Sequence, residues 1–478
     1  MAETLKQQTK KGLYWSFFNQ FSSYGMQFCV GIVMARLLTP SDYGITALPA
    51  VFMAIASVFQ NCGMIGALIR KEEIKEEDLS TTFIYSTITG IIIYAILFFL
   101  SPIIADYYET PVLTPLVRIS ALTFLFGPIG TPQQIILRRK LDFKTPTKIS
   151  VITMIFSAVV GISMAYNGYG LWALVISSVL SSFLGLVIIV YAVKWYPTTG
   201  WSRESFQYLW NYGNKMLLSS LLDTAYNNIT PLFVAKYYTP ADLGVYNRAR
   251  NYATLPSQNI NGVIQNVTFP VLSKMQNDDE TLARNYRKMI TVTAFLVFPI
   301  MFMLSALARP LIIIMLTEKW ESSIILLQLL CFAMMWYPVH SMNLNLLQVK
   351  GRTDLFLKLE IIKKILGLII LVITLPMGLT YFCIGGIISS LVSLFINTYY
   401  TGKLINVGFL KQMKDLTPIL LACTVMYCCI YLLNYFFSNM YIQLFIGGII
   451  GTLVYLSIAF AFKFKEIDEV KYLLKKKS

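Results

Sequence analysis

Six cations fall inside or at the ends of long apolar runs of the chain: Arg36, Arg118, Lys236, Arg248, Arg250 and Arg309. One well-embedded acid, Asp223, stands against them. Arg248, Asn251, Gln258 and Gln265 follow at steps of three and seven, a spacing that holds side chains on one helical face. Gly262 fills the intervening turn, and Asn259, Asn261 and Asn266 widen the band. Asn19, Gln20, Tyr24 and Gln27 form a second polar cluster, and Asp223 with Tyr226, Asn227 and Asn228 a third. Amides and phenols bond sugar hydroxyls, and guanidinium holds phosphate bidentately, so the set suits a hydroxyl-rich, anionic cargo. Plainer roles are open too. All six cations lie within roughly two turns of a helix end, where long side chains snorkel. The amides can bond helix to helix. Asp223 is either a proton or Na⁺ site or a counter-ion for Lys236 or an arginine. The single histidine, His340, is either a hydrogen-bonded helix residue or a coupling group.

The elements that must position these groups are membrane helices. Of the residues, 56% are hydrophobic and 13% charged, against about 25% charged in soluble domains. Apolar runs of about twenty residues match the hydrocarbon thickness of a bilayer. We read spans at 13–38, 43–69, 81–104, 113–137, 146–166, 169–193, 213–238, 243–273, 289–308, 322–348, 359–376, 380–402, 416–436 and 441–462. An even number of spans puts both termini on one side. The tail with Lys6, Lys10 and Lys11 and the clusters at 70–75, 138–148, 194–215, 274–288, 350–364 and 403–414 hold most of the 39 Lys and Arg. The loops near Pro111, Asn167, Met377 and Asn439 hold none. Positive charge marks the cytoplasmic side, so both ends are expected there. The net charge of +15 is therefore a topology signal, with contact to anionic lipid as a further role, and not a nucleic-acid site. The N-terminal run is expected to be a retained first helix, since it is too long for a signal-peptide core. All seven cysteines fall in spans without metal-ligand spacing and are expected to pack as small hydrophobes. There is no Walker-type phosphate loop, and a lone histidine makes no His-based metal cluster.

ARLLTPSDYG at 35–44 returns as AKYYTPADLG at 235–244. Each copy joins two spans, one and two or seven and eight. Pro40 and Pro240 disfavour helix in the preceding threonine, and Asp42 and Asp242 are expected as N-caps of the next helix. Asn61 and Asn261 keep the same offset. PIGTPQQIILRRK at 128–140, in span four, aligns with PVHSMNLNLLQVK at 338–350 in span ten, Gln133 facing Asn343. The chain thus reads as two six-helix lobes with two added helices: 1–195, 196–402 and 403–478. Six is even, so the lobes form a parallel repeat, an arrangement that transporters use with the substrate between halves. Pro128, Gly130 and Pro132 in span four, and Pro299 and Pro310 around span nine, are expected to bend or interrupt helices.

The two phrases and the 6+6+2 organisation resemble the polysaccharide transporter (Wzx-type) branch of the multidrug/oligosaccharidyl-lipid/polysaccharide exporter superfamily, and within it the WzxC-like exporters. The resemblance implies an all-α, two-lobed bundle of about fourteen helices around a central cavity. It also implies flipping of a polyprenyl-pyrophosphate-linked oligosaccharide across the bacterial plasma membrane, with polysaccharide polymerase and assembly proteins as partners. Cationic lumen residues in the family point to Arg36, Arg118, Lys236, Arg248 and Arg250 here, beside the polar Asn227, Asn251 and Gln258. No cofactor is expected beyond H⁺ or Na⁺ coupling, for which Asp223 is the candidate. The competing readings are a cation-coupled drug exporter, which would prefer acidic cavity residues, and a glycan polymerase or ligase, which would need larger outer loops.

Overall fold

In the computed structural model, which describes residues 2–61 and 64–469, the backbone is overwhelmingly helical, and no strand occurs among the described residues. A helix pairs its backbone polar groups within the segment, which lipid demands. The chain divides into two compact units, Met1–Gly244 and Val245–Ser478.

The first unit contains α1 (Ala2–Leu37), α2 (Pro40–Asn61), α3 (Met64–Arg70), α4 (Glu76–Tyr107), α5 (Leu113–Ala121), α6 (Thr123–Phe126), α7 (Thr131–Arg139), α8 (Lys144–Tyr166), α9 (Trp172–Val193) and α10 (Arg203–Tyr237). Helix α11 (Pro240–Ser273) begins in it and continues into the second unit. There follow α12 (Asp279–Ala306), α13 (Ala308–Leu316), α14 (Ser323–Met334), α15 (Tyr337–Val349), α16 (Thr353–Thr374), α17 (Leu379–Ile405), α18 (Phe409–Phe436) and α19 (Met440–Ala461).

Among the described residues, 10 segments are long and apolar enough to cross a membrane. The four other expected spans are α1, α10, α11 and α16, which have the length but carry more amides and charges. Exposed side chains tell what surrounds the bundle. Ile88, Ile92, Ile96, Phe99 and Ile103 of α4 form one exposed face, and Leu357, Ile361, Ile365, Leu368 and Val372 of α16 form another. Leaving such side chains in water costs about 1.5–3 kcal/mol each relative to burial, whereas lipid removes the cost. The protein is a multi-pass membrane protein.

Within the first unit, Leu68, Leu79, Ile135 and Leu209 bring α3, α4, α7 and α10 together. Ile93, Leu97, Val117 and Phe124 join α4 to α5 and α6. In the second unit α12 is the central helix, with Tyr286 and Phe298 fully buried and α14, α15, α17 and α18 packed on it.

Spans four and ten are both broken, as their prolines require. Span four runs α5, α6, a 3-10 turn at Gly127–Gly130, then α7; span ten breaks between α14 and α15. Proline has no N–H, so each break orphans the carbonyl four residues earlier. Pro128 orphans Phe124, and Gln60 Nε2 of α2 donates to that oxygen at 3.1 Å. Pro338 orphans Met334, and Ser257 Oγ of α11 donates there at 2.7 Å. Both repairs come from the helix that follows a copy of the repeated phrase, so the repeat holds in structure as well as sequence. Pro299, by contrast, sits inside an unbroken α12, and the span-nine break falls at Leu307, between α12 and α13, ahead of Pro310.

Candidate functional site

The repeated phrase builds the same local structure twice. Thr39 N–H donates to Asp42 Oδ2 at 2.9 Å, and Asp42 N–H donates to Thr39 Oγ1 at 3.2 Å. Thr239 and Asp242 make the matching pair, both at 3.2 Å. These are reciprocal capping boxes. The sequence reading of Asp42 and Asp242 as N-caps is corrected: threonine is the N-cap, proline the first helical residue, and the aspartate reaches back from the third position.

Gly44 and Gly244 then lie against each other's turn. A Cβ on Gly44 would fall 1.6 Å from the Pro240 carbonyl oxygen, and one on Gly244 would fall 1.9 Å from that of Pro40. Only a Cα hydrogen fits such a space, in the manner of a weak Cα–H···O contact. Beside this crossing is a cavity of about 170 Å³, lined by Gly44, Leu48, Tyr108, Glu109, Lys236 and Tyr238 among others.

Lys236 borders that cavity. Its Nζ donates to the Tyr107 carbonyl at 2.7 Å, sits 4.4 Å from the Tyr107 ring centroid and is 3.9 Å from Glu109 Oε1. Tyr108 OH donates to the Leu232 carbonyl at 3.5 Å. The end of α4 is thereby tied to the end of α10. Arg36, at the equivalent repeat position, is exposed on α1. Arg118 is held inside the first unit: its Nε donates to Ser101 Oγ at 3.0 Å and Phe98 O at 3.3 Å, with the guanidinium 4.0 Å from the Phe98 ring centroid.

Asp223 and Asn227 are exposed on α10, Asn227 Nδ2 donating to Asp223 Oδ2 at 3.1 Å. Asp223 lies roughly 20 Å along the helix axis from Lys236, at 1.5 Å per residue, so of its expected roles that of a Lys236 counter-ion falls away. Gln20, Tyr24 and Gln27 of α1 are exposed, and Asn19 is part-buried.

In the second unit the α11 stripe divides into two. Asn251 and Gln258 are exposed, and Arg248 is part-buried, its guanidinium 5.4 Å from the Trp320 ring centroid and 5.9 Å from that of Tyr252. Arg250 is part-buried on the same stretch. Further along, Asn261 Nδ2 donates to Ser341 Oγ at 3.2 Å, and Gln265 bonds both Ser341 and Asn345 of α15. One half of the stripe therefore glues helices together, and the other half exposes two amides beside an arginine that is part-buried between two rings. Arg309 makes an exposed ion pair with Glu321 at 3.5 Å, a surface contact worth about 0–1 kcal/mol.

His340 is a hydrogen-bonded helix residue, with Nε2 3.1 Å from Ser390 Oγ and Nδ1 3.4 Å from Asn397 Nδ2. Nearby, Asn343, Thr401 and Gln412 form a buried network: Thr401 Oγ1 and Gln412 Nε2 each donate to Asn343 Oδ1 at 3.0 Å, and Asn343 Nδ2 donates to Gln412 Oε1 at 3.1 Å. Asn343's repeat partner Gln133 is also buried, donating to Trp195 O at 3.3 Å.

Sequence reasoning missed the partly buried ion pairs, among them Lys71–Asp78 and a pair on α16. Glu360 Oε1 and Lys363 Nζ of α16 are 2.5 Å apart, with side chains 26% and 12% exposed. They lie on the side of α16 away from its exposed apolar stripe. Their charges fall in the basic 350–364 cluster as well as at the start of the expected span 359–376, so the pair was not singled out. The signal that finds them is the lipid-facing period beginning at Leu357, one turn before Glu360.

The six cysteines described are free thiols. Among the described residues no group of three His, Cys, Asp or Glu converges on a metal site. Cys62 and the tail beyond Glu469 lie outside the described residues, as do the side chains of Lys6, Lys10, Lys11, Asn61 and Asn266.

Comparison with known proteins places the chain. Over 469 residues it is 26% identical to an uncharacterized membrane protein in the cps region of Klebsiella pneumoniae, covering 93% of this chain and 94% of that one. Over 405 residues it is 27% identical to the lipopolysaccharide biosynthesis protein WzxC of Escherichia coli (strain K12), covering 82% and 81%. Its fold is similar to that of the lipid II flippase MurJ in an inward closed conformation, with a TM-score of 0.77 at 18% identity, covering 94% and 98%. Residues 33–325, more than half of the chain, match the polysaccharide biosynthesis protein family, and this multi-pass helical membrane protein belongs to it.

Proposed function

We propose that the protein is a flippase that moves a polyprenyl-pyrophosphate-linked oligosaccharide across the bacterial plasma membrane, from the cytoplasmic to the outer leaflet. The observation that carries this reading is the first half of the α11 stripe, where Asn251 and Gln258 are exposed and Arg248 is part-buried beside them, on a helix otherwise too polar for lipid. Amides bond sugar hydroxyls and a guanidinium matches a diphosphate. Crossing without such a path would strip each unpaired hydroxyl of water at a cost of several kcal/mol. The WzxC relative, named for lipopolysaccharide biosynthesis, and the MurJ fold, named for a lipid II flippase, support the same cargo class.

Arg248, Arg250, Asn251, Gln258 and Asn227 are the favoured contacts. Arg36 joins them from α1. Arg118 is held by Ser101 and Phe98, and Lys236 by Tyr107, contacts that suit structural roles. Lobes 1–195 and 196–402 alternate, with 403–478 as accessory helices, and both termini are cytoplasmic, as the charge bias favours. A polysaccharide polymerase receives the product. Coupling to H⁺ or Na⁺ would use the exposed Asp223; an Asp223→Asn variant that keeps its gradient dependence would remove it from that role.

The decisive experiment deletes the gene and measures the lipid-linked oligosaccharide pool by mass spectrometry. One polyprenyl-pyrophosphate glycan accumulates while its surface polymer disappears. An unchanged pool in a strain with no redundant flippase refutes the reading and favours drug export.

A further inference from the structure

The ten-residue phrase is repeated, yet none of its residues except the cation at its second position enters the cargo reading above. Four observations within the first unit converge on it. The paired capping boxes fix the starts of α2 and α11 in the same geometry. The glycines five residues into α2 and α11 approach each other's proline carbonyl so closely that no Cβ fits on either. Lys236 grips the carbonyl and ring of Tyr107. Tyr108 reaches the Leu232 carbonyl.

These contacts share a chemistry. None is a buried apolar interlock, which would cost area to open. They are weak Cα–H···O contacts, one charge-assisted bond at a part-exposed lysine, and one long hydroxyl bond. Cα–H···O contacts are second-order and individually weak. The two glycine contacts are also reciprocal: parting the turns breaks both at once, so they act as one unit. A junction held this way rests on few polar contacts, and its parting uncovers the buried Leu48 and Leu243 that line the cavity.

We propose that the two copies of the phrase are a latch: paired at Gly44 and Gly244 and fastened by Lys236, they shut the end of the molecule where α1, α2, α4, α10 and α11 meet, and their parting is what gives the cavity beside Leu48 access to the outside. This rests on the transport reading for its purpose and on the charge bias for which side is outer, but its test needs no substrate. Lys236 is on this account a positioning residue.

The probe is Leu48→Cys, at a residue 5% exposed that lines the cavity, labelled in intact cells with a membrane-impermeant maleimide. Mass spectrometry of the peptide separates it from the native cysteines. In the otherwise unaltered protein the label enters slowly. Adding Gly44→Ala or Gly244→Ala raises the rate at least tenfold, and combining the two gives no more than either alone, because one parting removes both contacts. Lys236→Met leaves the backbone crossing untouched and raises the rate about threefold, which keeps the test valid if an alanine variant fails to insert. Labelling within twofold of the parent in all inserted variants overturns the latch. Additive effects of the two alanines overturn its reciprocity. Because transport is not read, an unchanged lipid-linked pool on gene deletion refutes the flippase reading without touching this result.

Discussion

Replacing one partner of the Glu360–Lys363 pair should reveal whether α16 carries a buried charge network through the membrane. The two groups are 2.5 Å apart with side chains 26% and 12% exposed. Removing one partner of a fully buried pair costs about 3–5 kcal/mol, because the remaining charge is stranded. Here the carboxylate keeps a quarter of its exposure and the lysine stem can snorkel, so we expect about 2 kcal/mol for Lys363→Met and about 1–2 kcal/mol for Glu360→Gln. Replacing both removes the desolvation cost together with the attraction, and buried pairs exchanged for apolar residues are often neutral. Glu360→Met with Lys363→Met should therefore lie within about 0.5 kcal/mol of the wild type. The assay is thermal unfolding in detergent with a thiol-reactive dye, run as a double-mutant cycle, with the cycle's interaction energy as readout. The free thiols Cys331, Cys383 and Cys423 are buried and report unfolding. An interaction energy below about 0.5 kcal/mol would refute the reasoning, since the charges would then be independently solvated.

Two further expectations follow from the same physics. Gln412→Leu removes a donor to Asn343 Oδ1, Thr401 Oγ1 and Val407 O. Leaving buried acceptors short should cost about 2–3 kcal/mol in the same unfolding assay, and a loss under 0.5 kcal/mol would mean water replaces the amide. Arg248→Ala should reduce transport of the lipid-linked glycan at least a hundredfold, measured as surface polymer, with insertion unchanged; Arg248→Lys should restore little, because a lysine holds a diphosphate at one point where the planar fork holds it at two. Normal polymer with alanine would assign Arg248 to packing on Trp320.

Much of the architecture was legible because membrane helices announce themselves through length, and repeats through punctuation. Thr, Pro, Asp and Gly each constrain the backbone, so their common spacing at 39–44 and 239–244 marked the same helix start twice, although the cap itself was assigned to Asp rather than Thr. The break of span four was readable from Pro128, Gly130 and Pro132, whereas the break of span ten before Pro338 was not foreseen. What the letters could not disclose was where flexible cations end. Lys236 and Arg118 looked equivalent to Arg248 by depth, yet one bonds a tyrosine carbonyl and another a serine and a ring. Those partners are far off in sequence, and long flexible side chains reach whichever is nearest. Gln265 and Asn261 belonged to the stripe by period, but only the position of α15 decides which amides are consumed as glue. Glu360 and Lys363 were hidden by an accident of neighbourhood, a loop's worth of charge running straight into a helix.

The polarity of α10 and α11 has a consequence for how the protein is made. Both exceed thirty residues, and neither is among the segments apolar enough to cross a membrane unaided. A translocation channel releasing helices one at a time into lipid would reject each of them, since every unpaired amide or charge adds to the insertion cost. Helix α11 must wait at the channel until later helices supply partners: Ser341 and Asn345 of α15, which bond its amides, are synthesised more than seventy residues afterwards. Biogenesis of the second unit is thus postponed rather than sequential, and a chain truncated after Ser273 should fail to place its last helix across the bilayer in a glycosylation-reporter assay, while one truncated after Val349 succeeds. The same hydrophilic surface makes the midsection of the chain dependent on being finished.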